Sequence, residues 1–264
     1  MLFLNGTLSP YETSTVTSYT FPDQEQVRDI HVIAEALVCV HVNGAEWVSL
    51  ACTPVQQKEL AVGFLLGEGV IDSLGEVQTL HVSAEGLCVE VWLSHAAQPP
   101  TRRVLTSGCG GGVSFSDLQA LAPRLDSALR LPAKQVPACL QLLTSSAALH
   151  RLTGGVHASG LFKDGQLVSM AEDIGRHNTI DKIRGDCALR GQDVWGGLLV
   201  STGRISSEML AKAARMGCPL VASRTSATSL AVQLARAWGI TLIGYVRGNR
   251  MTVYTGSERL IRNA

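Results

Sequence analysis

The sequence lacks an excess of either charge, a long apolar run and any closely paired cysteines. Lysine plus arginine and aspartate plus glutamate both total 22, so no overall positive field attracts nucleic acid. No apolar run approaches ~18 residues, which argues against a membrane-spanning helix. The opening residues are too briefly apolar for a signal peptide. We therefore expect a cytoplasmic protein that binds neither nucleic acid nor membranes.

The seven cysteines are scattered along the chain, and none belongs to a Cys-x-x-Cys pair. An odd number at irregular spacing does not resemble a secreted disulfide framework. The missing pairs also argue against a structural zinc site, so we expect no structural metal. Six cysteines lie in or beside predicted helices and strands and are interpreted as inert thiols: Cys39, Cys52, Cys88, Cys139, Cys187 and Cys218.

The seventh cysteine, Cys109, is surrounded by four glycines in the stretch Gly108–Gly112. Clustered glycines favour neither helix nor strand, so we predict a mobile loop over residues 105–114. A free cysteine is usually a small buried hydrophobe, but this loop has little apolar bulk to bury it. No glycine fingerprint for nucleotide phosphates is present either. We interpret Cys109 as a catalytic thiol; a flexible linker with an incidental cysteine is the alternative.

The rest of the chain divides into a tail and two domains. Residues 1–28 begin rich in serine and threonine and are predicted to form a loose tail. Residues 29–104 are predicted as a small α+β domain, in which Asn43-Gly44 between two apolar runs indicates a hairpin. Residues 115–264 alternate between strands and helices, which indicates an α/β domain with parallel strands. Apolar strands throughout predict a sheet covered on both faces.

The individual elements are predicted from apolar periodicity and from turn residues. Strands are predicted at 36–42, 46–51, 77–80, 87–93, 166–170, 197–201, 218–223, 240–246 and 251–254. Helices are predicted at 56–67, 115–131, 136–149, 206–216 and 226–238, and a turn at 153–160.

Three predicted strands end in polar, basic turns. These turns are Ser201-Thr202-Gly203-Arg204, Ser223-Arg224-Thr225-Ser226 and Arg247-Gly248-Asn249-Arg250. The carboxyl ends of parallel strands meet at one edge of a sheet, where α/β proteins bind ligands. Ser206 and Ser226 are predicted helix N-caps, and helix N-termini favour anions. The pattern predicts a phosphate-bearing ligand; ordinary capping with surface arginines is the alternative.

The segment from Glu172 to Lys182 is dense in titratable groups at a strand-to-helix junction. Asp173, Arg176 and His177 lie within it. Active-site groups are often placed at such junctions, whereas a solvated helix end is the structural alternative. We interpret this segment as part of a functional site.

Four separated motifs resemble the FdhD/NarQ family of formate dehydrogenase accessory sulfurtransferases. They are Gly63–Ile71, Glu172–Asn178, Asp181-Lys182 and Arg247–Thr255. The resemblance covers nearly all of the chain beyond about residue 30. It implies a cytidine-deaminase-like fold for the C-terminal half and a homodimer.

The resemblance also implies a reaction and its site. A cysteine desulfurase would place a persulfide on Cys109, and the sulfur would pass to the molybdenum cofactor, in its bis-molybdopterin guanine dinucleotide form, for formate dehydrogenase. The family's cofactor-binding segment matches Tyr245, Val246, Arg247, Gly248, Asn249 and Arg250. Further candidate cofactor contacts are Ser201, Arg204, Arg224 and His177.

The sequence leaves one other function open and argues against a third, a zinc deaminase. Many members of the family have Cys-x-x-Cys in the loop, and Gly112 stands at the second position here. This departure favours a chaperone that holds the cofactor without transferring sulfur. A zinc deaminase needs His-x-Glu and Pro-Cys-x-x-Cys. Here Ser159 replaces the acid after His157, and Cys218-Pro219 reverses the order.

Overall fold

A computed structural model describes residues 3–4, 7–98, 104–105, 113–114 and 124–262. Over these residues the chain is mixed α/β, with several sheets and six α-helices. None of these helices is both long and apolar enough to span a membrane. Cys109, and the first part of the predicted 115–131 helix, lie outside the described residues.

The described strands of the N-terminal part are β1 (Phe3–Leu4), β2 (Thr7–Leu8), β3 (Tyr11–Thr20), β4 (Gln24–Ile33), β5 (Ala36–Val42), β6 (Ala45–Cys52), β7 (Val77–Val82), β8 (Cys88–Leu93), β9 (Val104–Leu105) and β10 (Val113–Ser114). Those of the C-terminal part are β11 (Leu131–Pro132), β12 (His157–Lys163), β13 (Gln166–Asp173), β14 (Leu198–Ser201), β15 (Leu220–Ser223), β16 (Thr241–Arg247), β17 (Arg250–Thr255) and β18 (Leu260–Ile261). The helices are α1 (Gln57–Glu68), α2 (Gln135–Ser146), α3 (Ala148–Thr153), α4 (Arg176–Leu189), α5 (Ser207–Arg215) and α6 (Ser229–Trp238), with 3-10 turns at Leu74–Glu76 and Ser257–Arg259.

The predicted loose tail over residues 1–28 is wrong from Tyr11 onwards. Strands β3 and β4 pair along their whole length, from Tyr11 opposite Ile33 to Thr20 opposite Gln24. Six of the ten β3 residues are threonine or tyrosine, which favour extended backbone. Most of its side chains are exposed, so the apolar alternation that marks a half-buried strand is absent.

The small N-terminal sheet has the order β6-β5-β8-β7, and helix α1 covers one of its faces. The predicted Asn43-Gly44 hairpin is confirmed: both residues have positive φ, 51° and 82°, as a tight turn between right-twisted strands requires. The core between this sheet and α1 includes Val38, Val40 and Phe64. The opposite face of the sheet, which we call the outer face, carries Cys39, His41 and Cys88.

The large sheet has the order β13-β12-β14-β15-β16-β17. Strands β14, β15 and β16 are parallel, as predicted, whereas the outer pairs are antiparallel. Neighbouring residues of a strand enter different cores: Leu199 packs with α4, α5 and α6, and Leu198 and Val200 pack with α2. The prediction of a sheet covered on both faces is therefore confirmed.

Several predicted boundaries need correction. Residues 124–130 are not helical, and Leu131–Pro132 instead pairs with Leu260–Ile261. The region 136–149 forms two helices that meet at Ala147. The predicted turn over 153–160 gives way to strand β12 at His157.

The last predicted helix also begins later than expected. Helix α6 starts at Ser229, because the Thr228 side chain accepts a hydrogen bond from the Ala231 amide, so Thr228 and not Ser226 is the N-cap. Ser206 caps α5 as predicted, accepting from the Met209 amide. The predicted N-cap residue is therefore confirmed for α5 and wrong for α6.

The two parts of the molecule meet where α1 crosses α4. A Cβ atom on Gly63 would lie 1.7 Å from the Asp181 carbonyl oxygen, and one on Gly185 would lie 1.9 Å from the Glu59 carbonyl oxygen. Neither position has room for any side chain. These two glycines let the helix backbones touch, which holds the N-terminal part against α4.

Candidate functional site

The three basic turns converge as the sequence predicts. The Arg224 amide donates to the Ser201 carbonyl oxygen, which joins the ends of β14 and β15. The Tyr245 amide donates to the Thr225 carbonyl oxygen at 2.7 Å, which joins the turn after β15 to β16. The carboxyl ends of the parallel strands therefore form one continuous edge. Arg204, Arg224 and Arg247 are all exposed along it.

A cleft of about 1150 Å³ opens at this edge, between the strand ends and helices α2 and α3. The strand-end wall consists of Arg224, Thr225, Val246, Arg247, Gly248 and Asn249. The helical wall includes Lys134, Gln141, Thr144, His150 and Arg151. The described lining contains two lysine or arginine side chains on each wall and no carboxylate, so the cleft favours an anion.

The helical wall was not anticipated from the sequence. Lys134 and Arg151 lie at opposite ends of the α2–α3 pair and face the strand ends across the cleft. The basic residues at the C-terminal end of α3 were a usable signal, since cations are stabilised there. Their sequence distance from Arg224 hid the connection.

The segment from Tyr245 to Arg250 forms the turn between β16 and β17. Tyr245 adopts a positive φ of 52° beside an irregularity in the strand pairing, and its side chain is exposed. Gly248 also has a positive φ, and Arg247 lies opposite Arg250 across the turn. Of these two arginines, Arg247 lines the cleft. Arg250 and Arg204 lie beyond the described lining residues.

Ser201 lies inside the protein. Its hydroxyl accepts a hydrogen bond from the Ser159 hydroxyl at 2.9 Å and another from the Gly203 amide at 3.1 Å. The Ser223 hydroxyl donates to the Gly203 carbonyl oxygen at 2.7 Å. Ser201 therefore shapes the turn that presents Arg204.

His177 is also buried, on the α4 side of the sheet, and the described cleft lining does not include it. Its Nε2 lies 3.2 Å from the Ser206 hydroxyl and 3.3 Å from a Glu208 carboxylate oxygen. Burial, followed by the positive charges of Arg176 and Lys212, lowers the pKa of His177 to about 3. The imidazole is accordingly neutral at physiological pH. His157 is half-buried, and burial with the charge of Arg176 lowers its pKa as well.

The charged segment from Glu172 to Lys182 is not a solvated helix end. The Lys182 ammonium lies 2.6 Å from the Asp173 carboxylate, and both side chains are fully buried. Asp173 also accepts hydrogen bonds from the amides of Thr53 and Gly175 and from the Asn178 side chain. Thr53 belongs to the N-terminal part, so the pair joins the two parts of the molecule.

A second buried ionic group lies beside the α1–α4 crossing. The Lys212 ammonium donates to both carboxylate oxygens of Asp181, at 2.8 and 3.0 Å, and to Glu68 at 3.2 Å. The pKa of Lys212 is raised: burial alone would lower it, but the charges of Asp181 and Glu68 outweigh burial. The Arg215 side chain donates to the Gly67 carbonyl oxygen nearby. These contacts connect α1, α4 and α5.

Strands β9 and β10 flank the segment that contains Cys109. They pair antiparallel, with Leu105 opposite Val113 and Val104 opposite Ser114. The two ends of the intervening segment are therefore neighbours. Cys109 itself lies outside the described residues.

Comparison with known proteins gives one consistent family. A family model described as FdhD/NarQ matches residues 33–261. The sulfur carrier protein FdhD of Bacillus subtilis (strain 168) is 37% identical over 235 residues, covering 87% of this chain and 90% of its own. The protein of the same name from Listeria innocua is 30% identical over 266 residues, covering 98% and 95%.

A solved structure agrees with these sequence matches. It is the crystal structure of a protein from Desulfotalea psychrophila assigned as a formate dehydrogenase accessory protein. It superimposes with a TM-score of 0.80 at 28% identity, covering 96% of this chain and all of that one. The family model spans most of the chain, and the relatives match it nearly end to end. The chain therefore belongs to the FdhD/NarQ family.

Proposed function

We propose that this protein is a sulfur carrier for formate dehydrogenase. In this proposal Cys109 accepts a persulfide sulfur from a cysteine desulfurase. The sulfur then passes to the molybdenum cofactor, bound as substrate in its bis-molybdopterin guanine dinucleotide form. Relatives named as sulfur carrier proteins support this role, as does the structural likeness to the formate dehydrogenase accessory protein of Desulfotalea psychrophila. We place the protein in the cytoplasm and propose that it acts as a homodimer.

The observation that carries the proposal is the basic cleft at the carboxyl edge of the sheet. A guanine dinucleotide carries phosphates, and arginine binds phosphate through two parallel hydrogen bonds. We assign Arg224 and Arg247 to the phosphates, with Lys134 and Arg151 facing them. Exposed Tyr245 offers an aromatic face beside them. Ser201, His177 and the buried ionic pairs support this edge from beneath.

The first chemical step is an exchange between a thiolate and a persulfide. The Cys109 thiolate attacks the terminal sulfur of the donor persulfide, a new S–S bond forms, and the donor thiolate leaves. Electrons balance within this step. Delivery of the terminal sulfur as sulfide consumes two electrons, which a thiol reductant supplies. One cysteine suffices for the carrier state, so Gly112 at the position of a second cysteine does not prevent it.

The strand arrangement supports a cytidine-deaminase-like C-terminal domain, with the domain boundaries proposed near residues 104 and 115. A β-hairpin, β12–β13, precedes three parallel strands that are linked by helices. The constellation of a zinc deaminase is not formed. Ser159 is buried and hydrogen bonded to Ser201, and Cys218 lies at the opposite end of the sheet from His157. Burial raises the pKa of Cys218 to about 12.

The proposal is tested with the Cys109→Ala variant. Loss of formate dehydrogenase activity in cells carrying only this variant is expected, while the Cys139→Ala variant, which removes a buried thiol of α2, retains activity. Intact mass after incubation with a cysteine desulfurase and cysteine should show a reducible gain of one sulfur that maps to Cys109. Full formate dehydrogenase activity with Cys109→Ala would refute the carrier role.

The second candidate is a chaperone that holds the cofactor without transferring sulfur, as Gly112 suggests. It predicts that Cys109→Ala still supports formate dehydrogenase, whereas Arg247→Ala does not. Both candidates require the cleft, so Arg247→Ala should weaken binding of GDP about tenfold or more, since a charge-assisted hydrogen bond contributes about 1.5–3 kcal/mol. Arg236→Ala, an exposed arginine of α6 outside the cleft, is the matched control.

A further inference from the structure

The outer face of the N-terminal sheet brings together two thiols and an imidazole that the sequence separates. Cys39 and His41 are two residues apart on β5, so both point to the same side of the sheet. Cys88 lies directly opposite Cys39 on the neighbouring parallel strand β8. All three are partly accessible. The α1-covered face of the same strands holds Val38, Val40 and other core residues.

The three potential ligand atoms are close enough to share one ion. Both sulfur atoms and an imidazole nitrogen lie within 4.8 Å of one another. Around a tetrahedral zinc ion, with bonds of ~2.3 Å to sulfur and ~2.0 Å to nitrogen, donor atoms lie ~3.5–3.8 Å apart. The ligand atoms would therefore have to approach one another by at most about 1.3 Å to reach this spacing. No other such group of histidine, cysteine and acidic residues occurs in the described part of the chain.

We propose that Cys39, His41 and Cys88 bind one zinc ion on the outer face of the N-terminal sheet, with water in the fourth, solvent-facing position. Two thiolates and an imidazole match the preference of zinc for sulfur and nitrogen ligands in tetrahedral geometry. The site would tie β5 to β8, the central pair of the sheet. It is separate from the basic cleft and revises the expectation that Cys39 and Cys88 are inert.

The surroundings of the three ligands support a cation. His41 is paired across the sheet with Glu90 on β8 and with Glu46 on β6. The carboxylates of Glu90 and Glu46 are also near enough to Cys88 to act on it electrostatically. The cysteines Cys52, Cys139, Cys187 and Cys218 are fully buried, unlike this pair. Two carboxylates beside the three ligands favour a divalent cation at the same place.

Metal binding at this site involves no oxidation or reduction. Two S–H bonds break, two metal–thiolate bonds form, and two protons leave to solvent as water is displaced from the ion. The apparent affinity should therefore rise with pH.

The test uses the full-length reduced protein in a Cys109→Ala background, so that the loop thiol contributes nothing. Titration with cobalt(II) should produce thiolate-to-metal charge-transfer bands and tetrahedral d–d bands that saturate at one ion per chain. Zinc should displace the cobalt. The single variants Cys39→Ser, Cys88→Ser and His41→Gln should each weaken binding at least tenfold. His81→Gln is the matched control, because His81 is an exposed histidine opposite Glu90 on the edge strand β7.

A second measurement uses the protein with its natural cysteines, in case a variant fails to fold. Zinc should protect Cys39 and Cys88 from alkylation, as mapped by peptide mass, and should leave the alkylation rate of Cys109 unchanged. Cobalt spectra without thiolate bands would overturn the proposal. So would equal binding by the Cys39→Ser and Cys88→Ser variants, or equal alkylation of both cysteines with and without zinc.

Discussion

Replacement of Lys182 by methionine should strongly destabilise the protein, although the methionine side chain has nearly the same length and volume as that of lysine. Lys182 and Asp173 are both fully buried and lie 2.6 Å apart. Removal of one partner from a buried pair leaves an uncompensated charge and costs about 3–5 kcal/mol. Surface pairs contribute about 0–1 kcal/mol. The buried setting therefore decides the size of the effect.

The two single variants should differ within that range. Without Lys182, the Asp173 carboxylate keeps its hydrogen bonds from the Thr53 and Gly175 amides and from the Asn178 side chain. Without the Asp173 charge, the Lys182 ammonium still donates hydrogen bonds to the carbonyl oxygens of Thr53 and Glu172, but it loses its buried anionic partner. We expect Lys182→Met to cost about 3 kcal/mol and Asp173→Asn about 5 kcal/mol, the two ends of the range for a broken buried pair.

Urea unfolding of both single variants and of the double variant at pH 7 measures these costs. The double variant should be more stable than the sum of the single effects predicts, with an interaction energy of about 0.5–3 kcal/mol. Lys163→Met provides the matched control, because Lys163 pairs with an Asp193 side chain that is 73% exposed. Single costs below about 1 kcal/mol, or strict additivity, would refute the assignment of this pair as a structural brace.

Two further predictions concern the same interior. The folded-state pKa of His177 is about 3, below its ordinary 6.5, so the unfolded chain binds a proton first as the pH falls. As the pH falls from about 6.5 to about 3, protonation of His177 in the unfolded chain should lower the unfolding free energy by up to about 1.4 kcal/mol per pH unit. The His177→Gln variant, measured by urea unfolding at a series of acidic pH values, should show a weaker dependence of the unfolding free energy on pH. Gly63→Ala should cost about 3 kcal/mol in urea unfolding, because its Cβ would meet backbone at 1.7 Å. Gly67→Ala, whose Cβ would meet only side-chain ends at 3.1 Å or more, should cost less.

The strands and helices of the last third were predicted well because one physical signal dominates there. Strands β14, β15 and the first part of β16 are buried on both faces, so most of their positions are apolar. The helices between them are amphipathic, and polar turns separate the two kinds of element. The convergence of Arg224 and Arg247 followed directly, because parallel strands place their carboxyl ends at one edge.

The hairpin and the helical wall of the cleft were missed for different reasons. Strands β3 and β4 expose most of their side chains, so burial leaves no pattern in their sequence. Lys134 and Arg151 reach the cleft only because α2 packs on one face of the sheet. That packing depends on contacts between residues distant in sequence. Local propensity carries no information about either feature.

The buried setting of the charged segment around Asp173 was not predicted, because charge normally signals a solvated surface. Here each charge has a partner supplied by another element, as with Lys182 and Asp173 or Lys212 and Asp181. The glycines of α1 permit this arrangement, since Gly63 lets the helices touch. Sequence spacing cannot reveal that two charges meet in the interior when the partners lie on different elements.

The buried pair of Asp173 and Lys182 lies away from the basic cleft, so it can affect ligand binding only by positioning other elements. Asp173 ends β13, and its carboxylate is bonded to the Thr53 and Gly175 amides, so it fixes the start of α4 against the N-terminal part. Helix α4 in turn carries His177, which contacts the cap residue Ser206 at the end of the turn that begins with Ser201. A change in the brace would therefore displace the edge that presents Arg204 and Arg224, although the brace lies outside the described cleft lining. Variants of Asp173 that still fold should lose affinity for GDP together with stability, whereas Arg247→Ala should lose affinity alone.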